Sequence, residues 1–289
     1  MINRFALLSL CALLFWIFII AGEVQANVAT TYNGDYINTA YQKAYGRDAT
    51  ADEVRYWDRP DVRNKFRVGN CWESDSACIN HNREVAQNRL VIQLKKAFST
   101  PEGGPELKAT IDRSYKIAFN RLPNPEELAY WQAELKARTW GYEELIQSHK
   151  KWEQTGVKPE ERLAMIKKAY TEVYGREATQ KEIEYWMVDI PKKGIIYDQL
   201  CDYLKDWVSG SSREQIQELE NLIRRAYAKA SVSNGPNPEQ MKSAMNYVTS
   251  KRPFFNEFVN WVKKENTMKL QQVAPPASAT PVKVPSFKR

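Results

Sequence analysis

The sequence predicts an all-α protein made of tandem three-helix repeats, about four units with the last one degenerate, packed as a helical array. Three observations predict it. The string "AYGRDATADEVRYW" at 44–57 returns as "VYGREATQKEIEYW" at 173–186, identical at eight of fourteen positions. A looser copy, "AFNRLPNPEELAYW", stands at 118–131, and a worn one, "NGPNPEQM", at 234–241. Self-similarity at such a period marks a repeat architecture. Each copy also joins a helix-stop signal to a helix-start signal, and aromatic residues recur at helical spacing on both sides of the joint.

The chain opens with Arg4, the apolar run "FALLSLCALLFWIFIIAG" at 5–22, and "EVQAN", whose Val24 and Ala26 suit a signal-peptidase site. Residues 1–26 are therefore expected to be a secretory signal, with the mature chain starting at Asn27. The run is nearly long enough to cross a bilayer, so a retained N-terminal anchor is the alternative. Either way the remainder is exported, to the periplasm, the cell surface or the medium. The tail 271–289, "QQVAPPASATPVKVPSFKR", is rich in Pro, Ala, Ser and Val with no helical period, and is read as disordered. Between the ends lie about 240 residues, enough for a sizeable core.

Within the repeats, Ile37, Tyr41 and Tyr45 follow at i, i+4 and i+8, as do Ile111, Tyr115 and Phe119, and Ile166, Tyr170 and Tyr174. That spacing lines one face of a first helix. Gly46, Asn120 and Gly175 then stand where a helix ends on a left-handed residue. The sequences "TADE" (50–53), "NPEE" (124–127), "TQKE" (179–182) and "NPEQ" (237–240) each read as a capping box that starts the second helix, with Pro125 and Pro238 at the first helical position. A third helix is read from "YEELIQSHKKW" (142–152) and "YDQLCDYLKDW" (197–207), which align in register, with "FNEFVNWVKK" (255–264) a looser counterpart. The resulting units are 27–110, 111–165, 166–222 and a degenerate 223–270. The first carries an insertion that holds "GNCWESDSAC" at 69–78.

In this frame Tyr45, Tyr56 and Trp57, Tyr130 and Trp131, and Tyr174, Tyr185 and Trp186 are expected to anchor both helices by core packing. Arg47, Arg121 and Arg176, just past each helix stop, are expected to bond helix-end carbonyls or a neighbouring acid. The fourth unit has lost the Arg and the Tyr-Trp pair, as a terminal repeat often does.

The motif Tyr, three residues, aromatic, Gly-Arg-x-x-(Thr/Asn)-x-x-Glu-hydrophobic-x-Tyr-Trp resembles the bacterial family called domain of unknown function 4214. The resemblance covers three units well and the fourth poorly. It implies a helical fold in secreted or surface-associated bacterial proteins and brings no catalytic residues with it. Glu53, Glu127 and Glu182 stand where that family tends to have Gly, and there is no glycine- and aspartate-rich calcium repeat in this chain.

The formal charge is +7, and removal of Arg4 and Glu23 with the leader leaves it unchanged. A basic surface favours anionic polymers without selecting among them. Export argues against a nucleic-acid role. His81 and His149 are the only histidines. His149 aligns with Leu204 and reads as a core-edge residue, and Cys201, aligned with Ile146, as a buried inert thiol. Cys71 and Cys78 bracket a polar loop and favour a disulfide in an exported protein. A metal held by Cys71, Cys78 and His81 is the alternative, at a spacing unlike familiar zinc sites. No phosphate loop, dinucleotide fingerprint or haem site is legible, so neither an enzyme nor a cofactor is expected. The leading function is a non-catalytic scaffold or adaptor for another envelope or secreted protein. The alternative is a module for cell wall or glycan, with Trp72, Trp140 and Trp152 stacking on sugars and basic residues meeting anionic polymer. An envelope hydrolase ranks below both, and a membrane partner enters only through a retained leader.

Overall fold

The computed structural model describes residues 36–63, 65 and 76–273, with side chains to 268. The expected leader, Cys71 and Trp72 lie outside them; of the tail expected to be disordered at 271–289, residues 271–273 are the last of a helix, a correction, and the rest lies outside them. Among the described residues there are thirteen helices and no strand, so the all-α expectation holds. They are α1 (36–45), α2 (Ala51–Asp58), α3 (Pro60–Arg63), α4 (Ser76–Ala97), α5 (Gly104–Phe119), α6 (Pro125–Arg138), α7 (Tyr142–Thr155), α8 (Pro159–Tyr174), α9 (Gln180–Lys193), α10 (Tyr197–Val208), α11 (Arg213–Lys229), α12 (Pro238–Lys251) and α13 (Phe255–Val273).

The stop and start signals act as the sequence predicts. Gly46, Asn120 and Gly175 all have positive φ, at 70°, 51° and 65°. At Gly175 a Cβ would also meet the Phe255 ring at 2.4 Å, so conformation and space both call for glycine. Thr50, Asn124, Thr179 and Asn237 each close a reciprocal capping box with Glu53, Glu127, Glu182 and Gln240. Ser212 and Gln215 form a fifth one at the start of α11. Its signal, "SREQ", is plain in the sequence and lies outside the four aligned copies.

The chain divides into two compact units, 1–150 and 151–289. The division falls inside α7, within the segment read as the second repeat. In the first unit, Ile37, Tyr41, Tyr45, Leu90, Leu94, Phe98, Ile111 and Tyr115 belong to one buried cluster. In the second, Ile166, Tyr170, Tyr174, Trp186, Leu200, Leu204, Ile223 and Phe258 do so.

The motif's internal bonds recur in the three copies that keep the Arg and the Tyr-Trp pair. Trp57 Nε1 donates to Tyr41 Oη at 2.8 Å, Trp131 to Tyr115 at 2.9 Å and Trp186 to Tyr170 at 3.0 Å. Each Trp, buried at 186 and partly buried at 57 and 131, is thereby satisfied at its one polar atom, and its helix is fixed to the preceding one. The arginines meet an acid, as expected. Arg47 makes a fork to Glu53 at 2.7 and 2.8 Å, Arg121 to Glu127 at 2.7 Å twice, and Arg176 to Glu182 at 2.9 and 2.7 Å. These are the capping-box glutamates, so one carboxylate caps the second helix and holds the Arg. A glycine at these positions could do neither.

One expectation is corrected. Tyr56, Tyr130 and Tyr185 do not join the core: they are 49%, 57% and 57% exposed. Adjacent residues on a helix point about 100° apart, so when Trp faces inward its Tyr neighbour faces out. Each of these rings rests edge-on against its Trp, with centroids 5.0, 5.1 and 5.0 Å apart.

Candidate functional site

His149, Cys201 and Glu153, three groups that could carry chemistry, are enclosed. His149 is fully buried, a correction to the core-edge position expected for it. Its Nε2 lies 3.1 Å from Ser114 Oγ, and its ring meets Tyr115, Phe119 and Trp131 edge-on at 4.8 to 5.3 Å. Burial pushes its pKa down to about 3, so the ring is neutral. Cys201 is buried, and burial pushes its thiol up to about 12. Both residues fill positions that Leu204 and Ile146 fill in the aligned helix, which is why they pack.

Glu153, at the end of α7, is completely buried, and Arg162 in the first turn of α8 nearly so. Arg162 Nη2 donates to the Glu153 carbonyl at 2.8 Å and to Glu153 Oε2 at 3.2 Å. Burial raises the Glu153 carboxyl above the usual carboxylate range, against the pull of Arg162. Sequence reading singled out neither residue. The register of α7 with α10 was the signal for Glu153, since it aligns with a buried Val208.

The arginine clamps extend to a second carboxylate in each unit. In the first, Glu106 on α5 receives Arg47 at 2.8 Å and also pairs with Arg113, whose Nε donates to the Tyr45 carbonyl at 2.9 Å. In the second, Glu218 on α11 receives Arg176 at 3.1 Å and Arg225 at 2.7 Å, and Arg225 Nε donates to the Tyr174 carbonyl at 2.9 Å. Arg47 lies over the rings of Tyr41 and Tyr45, and Arg176 over those of Tyr170 and Tyr174. Burial would raise the Glu53 carboxyl, but Arg47 and the Thr50 cap outweigh it and hold it at about 2. These groups are framework.

Several aromatic rings remain on the surface. On α6, Tyr130, Glu134 and Arg138 follow at i, i+4 and i+8. Arg138 Nε bonds Glu134 at 2.7 Å and lies 4.7 Å over the Trp140 ring. On α9, Tyr185, Asp189 and Lys193 repeat the pattern. Lys193 Nζ bonds Asp189 at 2.8 Å, and Tyr185 Oη donates to the same carboxylate oxygen at 3.4 Å. Tyr203, 47% exposed on α10, joins this face through a ring contact of 6.2 Å to Trp186. The Asp189 bond raises the Lys193 ammonium, with the Tyr185 and Tyr203 phenols close enough to add to the effect.

Of the sequence-predicted sugar-stacking residues, Trp152 is 54% exposed, Trp140 is partly covered by Arg138, and Trp72 lies outside the described residues. Cys78 lies in the first turn of α4, but its expected partner Cys71 is not described, so the bridge remains a proposal. His81 is exposed on α4. Among the described residues there is no group of three His, Cys, Asp or Glu able to hold a metal, and no helix long and apolar enough to cross a membrane. No family model, curated protein or solved structure matches this chain.

Proposed function

We propose that this protein is an exported, non-catalytic scaffold of the bacterial envelope or extracellular space, an array of tandem three-helix repeats that acts as an adaptor for another envelope or secreted protein. The observation that carries this reading is a division of labour among side chains. His149, Cys201 and Glu153 are sealed in the core, while the same tyrosine position is turned to solvent in each of the three motif copies. Surface tyrosine offers large, rigid contact area at low entropic cost, as binding surfaces require. The resemblance to the domain of unknown function 4214 family, the leader at 1–26 and a Cys71–Cys78 bridge belong to the same proposal. Photo-cross-linkers at positions 56, 130 and 185 in producing cells test it. The expected result is one protein cross-linked at saturation and bound by the purified chain at high salt; cross-linking no greater than at the exposed face of α8 would refute it.

A second reading, a wall- or glycan-binding module, is supported by the surface stripes of α6 and α9. There an exposed aromatic ring stands beside paired hydrogen-bonding groups.

A further inference from the structure

The stripes on α6 and α9 are not a by-product of the repeat. The first copy has the exposed Tyr56, but Pro60 stands at i+4 and Arg59 lies over the ring at 5.1 Å. Only the second and third copies add a carboxylate at i+4 and a cation at i+8, one such helix falling in each compact unit. The second copy then places another aromatic at the cationic end, Trp140 under Arg138, and the third has Tyr203 against the Trp186 ring. Folding does not need the outer tyrosines, because Trp131 and Trp186 already pin their helices through Tyr115 and Tyr170.

We propose that these two stripes, Tyr130–Glu134–Arg138 and Tyr185–Asp189–Lys193, are contact sites for a neutral, polyhydroxylated glycan chain such as the N-acetylated backbone of cell wall. This rests on the glycan reading above and names its residues. The charges select the ligand class. Each cation is matched by its own carboxylate at 2.7 or 2.8 Å, so neither pair offers an unmatched charge for an anionic polymer or a basic peptide to exploit. An apolar protein surface would have to strip water from both ion pairs, a cost that their Coulomb attraction repays poorly. A sugar chain avoids that cost. Its C–H face covers the tyrosine ring, while its hydroxyls donate to free carboxylate lone pairs and accept from the remaining N–H groups of Arg138 and Lys193. Binding of this kind tolerates salt, unlike attraction to the overall positive charge.

The test is cosedimentation of the purified full chain with isolated peptidoglycan sacculi at low and high salt, together with a fluorescence titration with N-acetylglucosamine hexamer. The variants are Tyr130→Ala, Tyr185→Ala, the pair of them, and Ile92→Ala on α4 as control, all at exposed positions and all checked by thermal melts. The expected result is salt-tolerant binding by the wild type. Each single stripe variant should weaken binding to sacculi roughly tenfold through the lost aromatic face, the double variant should abolish it, and Ile92→Ala should leave it unchanged. Salt-tolerant binding that survives in the double variant overturns the stripes and leaves the glycan reading standing. Binding lost at high salt reduces the attraction to net charge and overturns the stripes. Absence of binding at either salt overturns stripes and glycan reading together.

Discussion

The corner between α7 and α8 and the corner between α10 and α11 occupy equivalent places in the aligned sequence, yet one is ionic and the other apolar. Glu153 aligns with Val208, and Arg162, four residues before Ile166, aligns with Leu219, four before Ile223. All four are buried, and all four lie in the unit 151–289. Val208 and Leu219 belong to the hydrophobic cluster. Glu153 and Arg162 face each other instead, and Glu153 Oε1 and Arg162 Nε have no hydrogen-bond partner. The two corners teach that the helix framework is set by its caps and clamps, since either pair is accommodated, while the local stability depends on the pair chosen. A buried ion pair with unmet bonds is a weaker joint than a packed Val and Leu.

The largest effect should come from breaking the pair. Glu153→Val leaves the Arg162 guanidinium buried without a counter-charge, and should cost about 3–5 kcal/mol in urea unfolding. A loss within error would mean that Arg162 escapes to solvent and that the comparison fails. Replacing both residues by their counterparts, Glu153→Val with Arg162→Leu, should reverse the sign and stabilise by about 1–4 kcal/mol. A double variant no more stable than the single would show that this corner lacks the space its counterpart has.

The pH dependence follows next, and has opposite signs at two glutamates. Glu153 is raised in the folded state, so the folded chain holds that proton to higher pH than the unfolded one. Its contribution is full below the unfolded pKa near 4.5 and is lost as pH rises through the folded value. Glu53 is depressed to about 2, so its contribution is full above 4.5 and disappears as pH falls toward 2. Chemical denaturation across pH should show the loss between pH 5 and 8 vanish in the double variant, while the acid limb stays. An unchanged upper limb would move its cause away from Glu153. The smallest effect concerns a neighbouring difference. Tyr174 Oη donates to the Leu204 carbonyl at 2.8 Å, whereas the middle copy pairs Phe119 with His149. Tyr174→Phe should therefore fold normally and cost about 1 kcal/mol by thermal melt; a severe loss would mean that the hydroxyl organises more than that one carbonyl.

Much of the fold was legible because its determinants are local. Gly46, Asn120 and Gly175 announce helix ends through backbone conformation alone, and the capping boxes need only four consecutive residues. The Tyr-Trp pairs were half legible. Aromatic content pointed to burial, but a helix turns neighbouring side chains apart, so only the Trp of each pair goes inward. The stripes were written in the spacing of Tyr130, Glu134 and Arg138 and of Tyr185, Asp189 and Lys193, while their exposure was not.

By itself, then, the sequence determined where helices start and stop, which first-helix residues share a face, and that Glu53, Glu127 and Glu182 stand within reach of the arginines. These follow from short-range geometry, which the chain carries wherever it goes. Only the tertiary structure decided that Glu106 and Glu218 become second partners for Arg47 and Arg176, that Glu153 meets Arg162 inside the protein, and that three tyrosines remain outside it. Those outcomes depend on which face of each helix its neighbours cover, and residues far apart in the chain settle that together.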